Sequence, residues 1–452
     1  MMKTVIRKYA AEIFRMVLCV SAFLAAVLTG GDTERIAPIA VALVCILSLG
    51  LLFLKSAKYL TLLFLQLTLL LIFCYDSFSV FVQYIWLLPV VLLGMAVYLI
   101  RKKPRFSFGA SAWALVAVSV ATLLGGIGMI SAADYFRPAS LAFMAGLGPG
   151  LLFSYWIMKS ELKTEENREA FLRDLLYWGI TAAAIVFWYM IPVVVEARTA
   201  FGYEEPQWSN NIATMLMIAL PTALAQKRRG IGHYVLIFLM FAATMLVGSR
   251  GGQVFVGIEL VACCIWAWRT EENRVKKRWC CACVICVCMV AVGLLILLYH
   301  HAAIVDFDNK SEVRWQLLAR GFEDFAKNPL FGSGLGYCGN ADLFNGKQGT
   351  INWYHIFISQ VVGGLGIAGI LAWGYQLYTR ACLSLRVWRT TDFGFALCYF
   401  GLFLMSQVNP GEFCPVPYAF LAVCFFVAIE NRMEQEGVLT LKRLYLPWRK
   451  NK

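Results

Sequence analysis

Three residues of this 452-residue chain have types and surroundings suited to chemistry on an anionic substrate: Arg250, Arg314 and His355. Arg250 sits in Ser249-Arg250-Gly251-Gly252 between two apolar runs. An arginine there costs desolvation unless it snorkels to an interface or meets an anion. The glycines beside it let a phosphate approach backbone and guanidinium together. Arg314 is expected at the start of a helix over 312–325, where the dipole is already positive, so an anionic ligand rationalises it better than a structural role does. Arg320 is a second candidate, for which a solvated surface arginine is the simpler account. His355, in Trp353-Tyr354-His355, has an ordinary pKa of about 6.5 and is the residue of this region suited to take a proton at neutral pH. The competing reading is a satisfied interfacial histidine.

These residues must be held by membrane-spanning helices. Apolar residues make up 60% of the chain and charged ones 15%, which excludes an ordinary soluble domain. About fourteen stretches are long enough to cross a ~30 Å hydrocarbon core as helices. They lie near 11–30, 36–54, 59–75, 80–100, 108–131, 139–158, 175–197, 209–226, 232–248, 252–268, 279–299, 353–378, 391–408 and 416–430. The fold class is therefore all-α and polytopic, about 12–14 transmembrane helices in one integral-membrane domain over 1–452. The longest polar break, 300–354, holds the 312–325 helix, which has Val313, Leu317, Gly321 and Asp324 on one face and Trp315, Leu318, Phe322 and Phe325 on another. That pattern suits a helix at the membrane surface. Asn328-Pro329 ends it, and Gly332, Gly334 and Gly336 give a loop able to bring backbone amides to a ligand.

A net charge of +13 would suit nucleic-acid binding if it were clustered on one domain, but Lys and Arg recur at every second connection between spans. This is the positive-inside pattern, so the partner is the lipid bilayer and not nucleic acid. It puts both termini in the cytoplasm, and the 300–354 segment and the Ser249–Gly252 turn outside. The first span follows a short basic segment and is read as a retained anchor. The mixed-charge connection 159–174 reads as a short surface helix.

The remaining titratable and thiol groups offer less chemistry. Most of the 15 cysteines fall inside spans, where Cys280, Cys281, Cys283, Cys286 and Cys288 read as soft packing and not as a zinc site. Cys338 and Cys414 fall outside and could pair. Asp32/Glu34 and Asp306/Asp308 are acidic pairs able to hold a divalent cation, a pattern common in solvated loops. Glu259 lies inside a span, where an ionisable group either pairs or stays protonated.

With these residues in view the chain resembles the bacterial O-antigen ligase and O-antigen polymerase superfamily over a core of about 200–375. The resemblance rests on four pieces in order: Asn210-Asn211 at the start of a span; Ser249-Arg250-Gly251-Gly252; Arg314 before Asn328-Pro329-Leu330-Phe331-Gly332-Ser333-Gly334; and His355 before Gln360 and Gly364-Leu365-Gly366-Ile367-Ala368-Gly369. The chain departs from the pattern at Ile356, where Asn is usual, and at Leu318, where an aromatic is usual. The resemblance implies a GT-C-like membrane glycosyltransferase on the outer face of the cytoplasmic membrane. It would take a glycan from undecaprenyl pyrophosphate to a glycan, lipid or protein acceptor, with inversion and without metal or cofactor. It also implies His355 as the catalytic base and Arg250 and Arg314 as donor-pyrophosphate ligands, with Arg320, Asn210 and Gln360 in support. A lipid-glycan transporter or flippase, and a metal-using glycosyltransferase built on the acidic pairs, are the rival readings.

Overall fold

The computed structural model describes residues 2–54, 56–73, 84, 86–104, 107–127, 138–197, 208–227, 229–301, 307–335 and 354–437. Among them are helices and turns and no strand. In chain order the α-helices are α1 (Met2–Thr29), α2 (Thr33–Phe53), α3 (Thr61–Phe73), α4 (Leu88–Lys102), α5 (Ala110–Leu124), α6 (Pro138–Ala145), α7 (Leu151–Glu161), α8 (Glu165–Ala197), α9 (Ser209–Leu224), α10 (Ile231–Leu246), α11 (Arg250–Thr270), α12 (Arg274–His301), α13 (Phe307–Lys327), α14 (Phe357–Val387), α15 (Phe393–Met405) and α16 (Phe420–Gln435).

Each expected span overlaps these helices, except that 139–158 is divided into α6 and α7 by a kink at Gly148, and the molecule is a multi-pass membrane protein. Six described helical stretches are long and apolar enough to cross a bilayer unaided: those in α1, α2, α8, α11 and α14, and Pro415–Gln435. The apolar helices α3, α5, α10 and α15 are shorter, below the ~17 residues a lone span needs. The α9 helix is short too, and every residue from Ile212 to Leu224 is buried, so it is solvated by protein and not by lipid.

The chain packs as two compact units, Met1–Arg105 with Lys163–Gly293, and Phe106–Leu162 with Leu294–Lys452. In the first, α8 packs against α1, α3, α9 and α10. The 159–174 segment forms no separate surface helix: it is the end of α7 and the start of α8. Glu165 and Glu166 open α8, where carboxylates favour a helix N-terminus. Arg168 and Asp174 are buried, and Asp174 accepts from Arg15 at 2.7 Å. Asp32, one of the acidic pair considered for a cation, instead caps α2 by accepting from the Glu34 amide at 2.9 Å.

In the second unit α5 packs against α14, and α16 against α7. The buried carboxylate of Glu430 on α16 ties this unit together: it accepts from the Ser111 amide at 3.3 Å and the Tyr155 hydroxyl at 2.9 Å, and lies 3.1 Å from Lys159 Nζ. It thereby satisfies an amide that the first turn of α5 leaves open. Only glycine fits at 109, because a Cβ there would lie 2.0 Å from Glu430 Oε1.

The main departure from the expected topology is in α14, which is not a single rod. Gly366 is non-helical, at φ 62° and ψ −151°, and divides the helix into a short first half and a longer second half. The break brings Phe357 within 5.3 Å of Trp373, ring to ring, and Phe413 lies 5.5 and 4.9 Å from the two. On a straight helix residues so far apart would be separated by ~24 Å, so the halves are sharply bent and aromatic rings fill the elbow.

Candidate active site

The turn after α13 fills the break in α14. Broken helices expose carbonyls before the break and amides after it, and here both sets are met by backbone. Ser333 and Gly334 donate to the carbonyls of Gly363 and Gly364 at 2.9 and 2.8 Å. Ile367 and Ala368 donate to the carbonyls of Pro329 and Leu330 at 2.8 and 3.1 Å. The contact is close enough to exclude side chains: a Cβ on Gly332 would lie 2.5 Å from the Gly364 carbonyl carbon, and one on Gly366 would lie 2.6 Å from the Pro329 oxygen. Both glycines also have positive φ. The expectation that this loop turns its amides toward a ligand is thus corrected for Gly332, whose N–H donates to the Asn328 carbonyl at 2.8 Å, and for Ser333 and Gly334, whose N–H groups are also used within the protein. Gly336 lies outside the described residues.

The same segments set the position of α13. Arg314, Leu317, Gly321 and Asp324 recur at i, i+3, i+7 and i+10, one stripe of a helix. Leu317, Gly321 and Asp324 are buried, whereas Trp315 and Phe322 on the opposite side are exposed. Gly321 crosses α14 so closely that its added Cβ would lie 2.7 Å from Ser359 Cβ. With Pro329 beside Ile367 further along, the two segments run the same way. Seven residues before Gly321, Arg314 therefore comes level with the residues just ahead of α14, where His355 stands.

Arg314 is placed differently from its sequence-based expectation. The helix begins at Phe307, so Arg314 lies two turns inside it, and the argument from the dipole of a first turn lapses. Its charge acts instead on His355. Burial first, and the Arg314 guanidinium second, push the His355 pKa down from 6.5 to about 4. The imidazole is therefore neutral at physiological pH, with a lone pair able to accept a proton.

His355 also has strained backbone, with φ of 53°, a conformation costing a non-glycine residue roughly 1–2 kcal/mol. Its neighbours enforce it. Gln360 accepts from the Tyr354 amide at 3.2 Å. The Tyr354 hydroxyl lies 3.0 Å from Ser333 Oγ and donates to Asp324. Ser333 Oγ, whose single proton goes to the Tyr354 hydroxyl, also lies 3.1 Å from the Gly363 carbonyl oxygen. Gln360 thus shapes the start of α14. Sequence reasoning missed Asp324, Tyr354 and Ser333 as a unit; the available signal was a carboxylate on the otherwise apolar stripe of α13.

Arg320 is half-exposed on α13, one turn before Asp324. Arg250 and Asn210 belong to the first compact unit. There Ser249 caps α11, accepting from the Gly252 amide at 3.1 Å and donating to Asn210 Oδ1 at 2.7 Å. Ser249-Arg250-Gly251-Gly252 is thus a cap and first helical turn, with Arg250 as the first residue of α11. Gly252 is small because its added Cβ would come 2.8 Å from Ala213 Cβ.

Of the other candidates, Glu259 on α11 is fully buried and neither carboxyl oxygen has a hydrogen-bond partner. Among the described residues no group of three His, Cys, Asp or Glu is arranged to hold a metal. Asp306 and Cys338 lie outside the described residues, as does the side chain of Asp308.

The described helices and their apolar lengths define the class as a multi-pass membrane protein. Residues 235–374 match the family described as O-antigen ligase, so this part of the chain is similar to that family. The match covers Arg250, Arg314, His355 and Gln360, and Asn210 lies before it. No curated protein matches the chain.

Proposed function

We propose that the protein is a glycosyltransferase that moves a glycan from a polyprenyl pyrophosphate, undecaprenyl pyrophosphate in a bacterial membrane, to a hydroxyl of an acceptor. The supporting observation is the pairing of Arg314 with a His355 kept neutral by its surroundings. Pyrophosphate is a good leaving group, so the site has little need of a general acid. It needs cations on the departing oxygens, and Arg314, within electrostatic reach of His355, supplies one as a bidentate donor; the sequence around Arg250 suits the same chemistry. His355 takes the acceptor hydroxyl proton as that oxygen attacks the anomeric carbon from the face opposite the phosphate. The C1–O bond to pyrophosphate breaks, the new glycosidic bond forms, and the anomeric centre inverts. No step calls for a metal. The positive-inside pattern of the sequence supports an outer-face site on the cytoplasmic membrane, with both termini inside.

The experiment is glycan transfer from lipid-linked donor in membranes carrying His355→Ala or Arg314→Ala. Loss of transfer on the order of a hundredfold or more is expected, and wild-type rates would sink the reading.

Two observations favour the flippase alternative: the break in α14, and the unpartnered Glu259. Broken helices in transporters present their open ends to substrate. In this chain backbone from 329–334 occupies those ends, which favours the transferase. Purified protein that moved labelled lipid-linked glycan across vesicles without forming a glycosidic bond would reverse that preference.

A further inference from the structure

The proposed transfer gives chemical roles to Arg250, Arg314 and His355 and leaves a buried carboxylate close by without one. We infer that Asp324 and Tyr354 are a positioning pair that fixes where His355 stands relative to Arg314. The inference rests on the reading of His355 as the base.

Three observations carry it. His355 lies outside any helix, in a left-handed conformation, and such a residue keeps that backbone only when its surroundings over-determine it. Tyr354, the residue before it, is tied at both ends. Its amide is held by Gln360 of α14, and its hydroxyl sits between Ser333 and Asp324 of α13. Asp324 and Arg314 share one helix, about 15 Å apart along the axis. Through Tyr354, the helix that carries the guanidinium therefore also holds the peptide that carries the imidazole.

The chemical choice points the same way. A peg that merely filled the space would be cheaper as Phe against Leu, because burying a carboxylate costs desolvation that a single hydroxyl only partly offsets. A charge-assisted hydrogen bond adds direction, which an apolar contact does not. Arg314 of α13 acts electrostatically on His355, and Asp324 of the same helix bonds the hydroxyl of the preceding residue, Tyr354.

The test uses the full chain in detergent and follows carbethoxylation of His355 by diethyl pyrocarbonate against pH, read by mass spectrometry of the His355 peptide. The wild-type midpoint is expected near about 4. In Tyr354→Phe and Asp324→Ala it moves up toward 6.5, while Asp324→Asn, which keeps an acceptor oxygen, stays near wild type. Glycan transfer by Tyr354→Phe falls on the order of a hundredfold in kcat, with the donor KM little changed. A peg with a purely structural role would lower thermal stability and leave the midpoint where it was. If Asp324→Ala fails to fold, Tyr354→Phe, which removes a single oxygen, still decides the question. An unshifted midpoint in folded variants overturns the positioning pair even if His355→Ala is inactive. A shifted midpoint together with a fully active His355→Ala keeps the pair and overturns the transferase reading instead.

Discussion

The amide of Ile367 donates a hydrogen bond to the carbonyl of Pro329 at 2.8 Å. A residue that resumes α14 after its break is thereby paired with a residue of the turn leaving α13. Around this bond the glycines are not interchangeable. Gly332→Ala and Gly363→Ala are expected to lower the thermal midpoint in detergent sharply, because their Cβ atoms would lie 2.5 and 2.7 Å from backbone of the opposing segment. Gly374→Ala is the control in the same helix. Its Cβ meets nothing within 4 Å, so it should be neutral or gain up to about 1 kcal/mol from helix propensity. Equal effects at all three positions would contradict the packing described.

The second prediction concerns pH. With the His355 pKa near 4, the free enzyme keeps its base unprotonated down to that pH, so the acid limb of kcat/KM falls near 4 and not near 6.5. Bound pyrophosphate offsets the Arg314 charge and favours the imidazolium, so the acid limb of kcat should lie at higher pH than that of kcat/KM. Stability has a definite sign as well. The unfolded chain takes this proton near its ordinary value of about 6.5, so the contribution of His355 is complete above that pH and is lost as pH falls toward 4. A kcat/KM limb at 6.5 or above would show that His355 is not the controlling group.

The capping of α11 yields a third expectation. Ser249→Ala removes the acceptor for the Gly252 amide and the donor to Asn210, at a cost of about 1 kcal/mol. Because Arg250 follows the cap directly, Ser249→Ala and Asn210→Ala should raise the donor KM more than they lower kcat. A pure kcat effect in donor titrations would detach this turn from donor binding.

Arg380, buried on α14, bonds to Glu412 and to the Tyr399 hydroxyl, the latter at 2.7 Å, and stacks 4.5 Å from the Tyr399 ring. Glu412→Ala strands that cation inside the protein and should destabilise by roughly 3–5 kcal/mol, whereas Arg380→Met with Glu412→Leu should be milder than either single change. Comparing the thermal midpoints of the three variants decides it; an additive double variant would mean the two residues do not act as a pair.

These four cases mark the limit of what the sequence could disclose. Continuous apolar runs announce helices, so the expected spans fell on helices, although the 139–158 run is divided into α6 and α7 at Gly148. Arg314 and His355 could be singled out because charged and titratable groups stand out against such runs. The α14 break could not, since Gly363-Gly364-Leu365-Gly366 lies within an unbroken apolar stretch and hydropathy is blind to φ. The buried partners were equally hidden: Glu430 caps a helix that begins 320 residues earlier, and no local pattern marks such a bond. The turn at 328–334 misled for a related reason. Glycines signal a close approach, but not whether the approaching group is a phosphate or another stretch of backbone.

The bond between Ser333 and Tyr354 pins together the two ends of the chain between Leu335 and Tyr354. Whatever is written into the 18 residues from 336 to 353 leaves from and returns to fixed points. His355 then need not move when that stretch is lengthened, shortened or exchanged.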